Sequence, residues 1–142
     1  MDIDQLKKQA AEKAVEEIKD GMIIGLGSGS TLFFALKKIS EKLKSGELKN
    51  IFGVPSSIDT EKKAIQLGIP LKTLNETPII DLTIDGADEV DLQLNVIKGG
   101  GGMLLREKIV AQASKKLIII LHSAISILAS ESYTQYPSSR IR

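Results

Sequence analysis

The apolar run from Met22 to Leu26 is too short for a helix, is bracketed by Gly21 and Gly27, and sits between two amphipathic stretches. A run of that kind is a buried strand, and helical segments on either side of it leave few folds open. Before it, Leu6, Ala10, Ala14 and Ile18 recur at a four-residue spacing from Asp4 to Lys19, a single helical stripe closed by Asp20-Gly21. After it, a second helix is expected from Thr31 to Lys44, with Leu32, Phe34, Ala35, Leu36, Ile39 and Leu43 turned inward and Ser45-Gly46 as its stop. The alternation continues with a strand at Ile51–Val54 closed by Pro55-Ser56-Ser57, a short helix over 58–67 and a small strand at Ile69–Leu74. A strand at Ile79–Ile84, a glycine turn at Lys98–Gly102, a helix from about Met103 to Ser114 and a strand at Leu117–Leu121 complete it. Strands and helices alternating at this spacing predict an α/β fold, a Rossmann-like, mostly parallel sheet with helices on both faces. In such sheets ligands sit at the carboxyl ends of the strands.

Composition narrows the chemistry. The 142 residues carry 19 basic and 18 acidic side chains, with no basic tract and little aromatic content, so nucleic acid is not an expected partner. There is no cysteine and one histidine, His122, which disfavours thiolate and imidazole metal sites. No window approaches the roughly 18 apolar residues of a membrane span, and the N-terminal segment is charged and amphipathic. The expectation is a cytoplasmic protein without a membrane contact.

The first candidate site is the elbow GLGSGST, Gly25 to Thr31. Gly25, Gly27 and Gly29 let a ligand approach the main chain, Ser28, Ser30 and Thr31 supply hydroxyls, and the helix starting there presents unpaired N–H groups and the positive end of its dipole. A phosphate suits such a seat. A dinucleotide loop would want glycine where Ser30 stands and an acid where Pro55-Ser56-Ser57 stands, and a Walker loop would want a lysine followed by Ser or Thr within the turn. What remains is a small phosphomonoester, beside the plainer reading of a capped strand-to-helix turn.

The second is IIDLTIDGADEVD, in which alternation places Ile80, Leu82 and Ile84 on one side and Asp81, Thr83 and Asp85 on the other. Asp85 is expected at the strand end beside Gly86, with Asp88, Glu89 and Asp91 just beyond. Carboxylates facing the crevice shared with the elbow suit proton transfer, while a solvated turn or a magnesium site are the competing readings. The third is KGGGGMLLREKIVA, in which Lys98 precedes four consecutive glycines. Four glycines cost roughly 0.5 to 1 kcal/mol each in ordered structure, a poor investment for a mere linker, and their N–H groups with Lys98 could cradle an oxyanion. Glu107, about a turn into the following helix, is a candidate base, or else one member of a surface Arg-Glu-Lys run.

Taken in order, GLGSGST, DGADEVD and KGGGGMLLREKIVA resemble the three signature segments of type A ribose-5-phosphate isomerase, over about Leu6 to Leu121. The resemblance implies reversible interconversion of ribose 5-phosphate and ribulose 5-phosphate in the non-oxidative pentose phosphate pathway, without metal or organic cofactor, by a homodimer. It further implies that Ser28, Gly29, Ser30 and Thr31, then Asp85, Gly86, Ala87 and Asp88, then Lys98, Gly99, Gly100 and Gly101 contact the substrate. Glu107 takes the place of the proton-transferring base, with Lys98 and Asp85 as further catalytic groups.

The match stops after Leu121. Where the resemblance implies an Asp-x-Ser-Lys segment, this chain reads His122, Ser123, Ala124 and Ile125, and the expectation is that it lacks the family's smaller C-terminal region. The expected division is therefore an isomerase domain over 1–121 and an atypical tail over 122–142. Two further readings stand beside the isomerase: a binding domain or truncated isomerase without turnover, and a magnesium-dependent phosphatase using Asp81, Asp85 and Asp88.

Overall fold

A computed structural model describes residues 2–87, 89–90, 96–97, 109–121 and 124–129, with side chains over 2–86 and 109–120. Helix α1 spans Ile3–Val15, strand β1 Ile23–Leu26, helix α2 Ser30–Ser45, strand β2 Phe52–Pro55 and helix α3 Ile58–Gln66. Strands β3 (Leu82–Ala87), β4 (Glu89–Val90), β5 (Val96–Ile97), β6 (Lys116–Leu121) and β7 (Ala124–Ala129) follow, with residues 109–112 helical. The main sheet has the order β2-β1-β3-β6-β7, parallel except for β7, which pairs antiparallel with β6 from Lys116↔Ala129 to Leu121↔Ala124. β4 and β5 form a separate antiparallel pair.

The expected α/β architecture is the one found. Ile24 and Leu26 of β1, Leu82 and Ile84 of β3 and Ile118 and Ile120 of β6 face one way and are fully or nearly fully buried under α1 and α2. On the opposite face Val54 and Ile80 pack with Val110 of the helical segment 109–112. Helix α1 opens on a capping box in which Asp2 accepts from the Gln5 N–H at 2.8 Å and Gln5 Oε1 accepts from the Asp2 N–H at 3.1 Å. It ends at Val15, short of the expected Lys19, because the N–H groups of Glu16, Glu17 and Ile18 each bond three residues back, tightening the chain towards Gly21.

Two local expectations are corrected. Ile69–Leu74 is not a strand: Pro70 and a turn in which Glu76 accepts from the Thr73 N–H leave only the isolated bridge Gly53↔Leu71. There the Gly53 N–H donates to Pro70 O and Gly53 O accepts from the Lys72 N–H, while the Lys72 ammonium lies 4.2 Å from the Phe52 ring centroid. Ile80 does not share the Leu82 and Ile84 face, because the β3 ladder begins only at Leu82. Ile80 is held instead by its own bridge to Ser114, donating to Ala113 O and accepting from the Lys115 N–H, both at 2.8 Å.

The segment from Ala124 to Ala129, where the sequence has no clear periodicity, continues the same sheet. A short antiparallel return needs no crossover helix, so the pattern that marks the parallel strands is absent there.

The turn after α1 and β6 are also tied, by Lys116 Nζ and Glu17 Oε1 at 2.8 Å. The Lys116 hydrogen bond, then its charge, holds the Glu17 carboxyl below the usual carboxylate range. A depressed folded-state value means that the pair stabilises fully above the unfolded-chain carboxylate pKa and loses its effect as pH falls through the folded value. Both side chains are 40 % exposed, so Lys116→Met is expected to lower stability by less than about 1 kcal/mol at neutral pH. Melting curves of variant and parent should converge in acid, where Glu17 is protonated in both states.

Candidate active site

β1 stops at Leu26 while β3 runs on to Ala87, so the chain after β1 folds over the side of β3 that its ladder no longer covers. Asp85 therefore lies inside β3, paired with Ile119 of β6, rather than at the strand end. It is 8 % exposed, and its Oδ1 accepts from the Ser28 N–H at 3.1 Å. The missing side chain at Gly27 makes this possible: a Cβ there would fall within 2.7 Å of Asp85 Cα and inside the carboxylate. Gly25 is bare for a parallel reason, since a Cβ would meet Thr83 Cβ and Val110 Cγ1 at 2.9 Å. Behind it, the Thr83 and Ser114 hydroxyls bond to each other, and Ser114 Oγ donates to Val110 O at 2.8 Å.

The elbow is braced from β2 and α3. Ser57 caps α3 by accepting from the Thr60 N–H at 3.1 Å, and Thr60 Oγ1 donates to Gly27 O at 2.6 Å. Helix α2 then starts from Gly29, whose φ of 101° and ψ of 171° belong to a region essentially reserved for glycine. Gly29 has no side chain with which to cap the helix. Into this region Lys7 of α1 extends its ammonium, 3.0 Å from Ser30 Oγ. Gly86 closes the approach from β3, its Cβ position 3.4 Å from Thr31 Cβ and 3.5 Å from Ser28 O.

Of the residues singled out from sequence, Ser28, Gly29, Ser30, Thr31, Asp85 and Gly86 thus meet at one rim. The backbone of Ala87 continues β3 there. Asp88, Lys98, Gly99, Gly100, Gly101 and Glu107 lie outside the described residues. Asp81 belongs elsewhere. Its Oδ2 accepts from the Ile23 N–H at 2.8 Å and its Oδ1 lies 3.7 Å from Lys115 Nζ, about 13 Å along the chain from Asp85, which removes it from the magnesium set considered above. Lys7 and Thr60 were missed. The Ser57-to-Thr60 spacing is a capping signal that could have located Thr60, whereas Lys7 is one of several lysines on α1 and only the packing of α1 on α2 selects it.

The profile of ribose 5-phosphate isomerase A (phosphoriboisomerase A) matches residues 52–126. The chain belongs to the ribose 5-phosphate isomerase A family. A ribose-5-phosphate isomerase A from Desulfatibacillum aliphaticivorans is 64 % identical over 118 residues, covering 83 % of this chain and 51 % of the relative. A probable ribose-5-phosphate isomerase 1 of Arabidopsis thaliana is 55 % identical, covering 83 % and 44 %. The solved ribose 5-phosphate isomerase of Plasmodium falciparum superposes with a TM-score of 0.77 at 58 % identity, covering 82 % of this chain and 50 % of that one. A D-ribose-5-phosphate isomerase in complex with phospho-erythronic acid gives a TM-score of 0.81 at 44 % identity, covering 85 % and 53 %. The chain spans about half the length of the family members it matches. Among the described residues no helix is long and apolar enough to cross a membrane.

Proposed function

We propose that this chain binds ribose 5-phosphate and interconverts it with ribulose 5-phosphate through an enediolate, in the non-oxidative pentose phosphate branch of the cytoplasm, its family-length form acting as a homodimer. The observation that carries the reading is the start of α2 at Gly29, where Ser28, Ser30 and Thr31 gather and the Lys7 ammonium lies 3.0 Å from Ser30 Oγ. The N–H groups of a helix's first turn, its dipole and a cation together favour a phosphate dianion. The phospho-erythronic acid held by the similar structure is a small phosphorylated acid, in keeping with such a ligand.

Asp85, fixed by Ser28, is then placed to assist ring opening and to hold a sugar hydroxyl, with Ala87 and Asp88 following it. Glu107 moves a proton between C1 and C2, and Lys98 with the N–H groups of Gly99, Gly100 and Gly101 stabilises the developing oxyanion. The direct test is an isomerase assay on the purified chain, with formation of ribulose 5-phosphate as the supporting result and none as the opposing one.

Replacing Lys7 tests the phosphate seat separately. Lys7→Met is expected to weaken ribose 5-phosphate binding about 10- to 100-fold, the worth of a charged hydrogen bond, measured by titration calorimetry. Unchanged affinity would place the phosphate elsewhere.

One feature favours binding without turnover as a second reading. Ile125, where the family carries its lysine, pairs with Ile120 in the β6–β7 ladder and offers no charge. Ribose 5-phosphate binding with no ribulose 5-phosphate formed would select that reading.

A further inference from the structure

Ser56 is 1 % exposed, and its hydroxyl has no hydrogen-bond partner among the described residues. A buried hydroxyl left unbonded is costly, and native chains rarely keep one without use for it. Its position in the sheet suggests the use. The register pairs Val54 with Gly25 and Pro55 with Leu26 across β2 and β1, and Gly25 with Thr83 and Leu26 with Ile84 across β1 and β3. The Ser56 N–H donates to Leu26 O at 2.8 Å, so the next row of the sheet reads Ser56, Gly27, Asp85. Alternation from Val54 puts Ser56 on the face that carries Thr83 and Asp85. Gly27, between them, has no side chain, and the Asp85 carboxylate lies over it. A hydroxyl and a carboxylate therefore flank a bare glycine, one strand apart on either side, beside the loop that starts α2.

We propose that Ser56 is a substrate-contact residue whose hydroxyl, opposite Asp85 across Gly27, bonds a hydroxyl of the bound sugar. The proposal rests on the sugar-phosphate reading above and adds to it a residue that discriminates the sugar from its phosphate. Sugar hydroxyls both donate and accept, which suits a site where one wall is an acceptor carboxylate and the other a serine that can do either. Without ligand the hydroxyl has no bond among the described residues, so stability and binding should respond to its removal in opposite directions.

The test compares Ser56→Ala with the parent chain by thermal melting and titration calorimetry, using ribose 5-phosphate and inorganic phosphate as separate probes. Ser56→Ala is expected to melt no lower than the parent without ligand, to bind ribose 5-phosphate about 5- to 10-fold more weakly, and to bind inorganic phosphate unchanged. Ser57→Ala is the control: it removes the α3 cap and should lower the melting temperature while leaving the ratio of the two affinities alone. A lower melting temperature for free Ser56→Ala would show that the hydroxyl is already bonded in the unliganded chain and would overturn the proposal. So would a ribose 5-phosphate affinity equal to the parent's, although the sugar-phosphate reading would survive it. A parent chain that binds inorganic phosphate but gains nothing from the sugar would end both.

Discussion

A Glu107→Gln chain is expected to convert ribose 5-phosphate about 10² to 10⁴ times more slowly than the parent, with its affinity for the sugar phosphate little changed. Shifting a carbonyl by one carbon requires a proton to leave one carbon and a proton to arrive on its neighbour, and one side chain can do both if it starts as a carboxylate, carries the proton as the carboxylic acid and returns it to the adjacent carbon. Glutamine keeps the shape and loses the base, so ground-state binding survives while the barrier rises. The enediolate adds a second readout: in deuterated solvent the parent should introduce deuterium at the reacting carbon, and the variant should not do so at a comparable rate. A Gln variant that turns over at the parent rate would assign the proton transfer to another group.

Gly27→Ala is expected to lower stability by about 2 to 4 kcal/mol, through overpacking and through loss of a buried bond to a carboxylate. The added methyl would occupy the space of the Asp85 carboxylate and come within 2.7 Å of its Cα, so β3 or the elbow must move and the Ser28 N–H loses its acceptor. Gly86→Ala provides the contrast, because its methyl would make an ordinary contact at 3.4 Å with Thr31, and it should stay within about 1 kcal/mol of the parent. Denaturant unfolding of the two variants measures both. Equal losses would mean that the fit of Asp85 over Gly27 is not what makes that glycine necessary.

The parallel core was legible because burial leaves its mark on the sequence: Ile24 and Leu26, and Ile118 and Ile120, stand in short apolar runs, and Leu82 and Ile84 alternate with Asp81, Thr83 and Asp85 ahead of Gly86. The elbow's place beside Asp85 followed from the rule that ligands gather at the carboxyl ends of parallel strands. Partners that depend on tertiary packing were not legible. Lys7 reaches Ser30 only because α1 packs on α2, and Ile80 leaves the face of Leu82 because Ser114, distant in sequence, captures its backbone. The β4–β5 pair carries two residues in each strand, too few for a period to register.

The bridge between Gly53 and Leu71 has a consequence for how such chains behave in a crowded solution. With the Gly53 N–H and C=O both engaged and a proline and a lysine placed alongside, the β2 flank offers an incoming chain little to zip onto. Among the described strands of this sheet, that leaves the opposite flank, at β7, as the edge on which strand addition would have to begin.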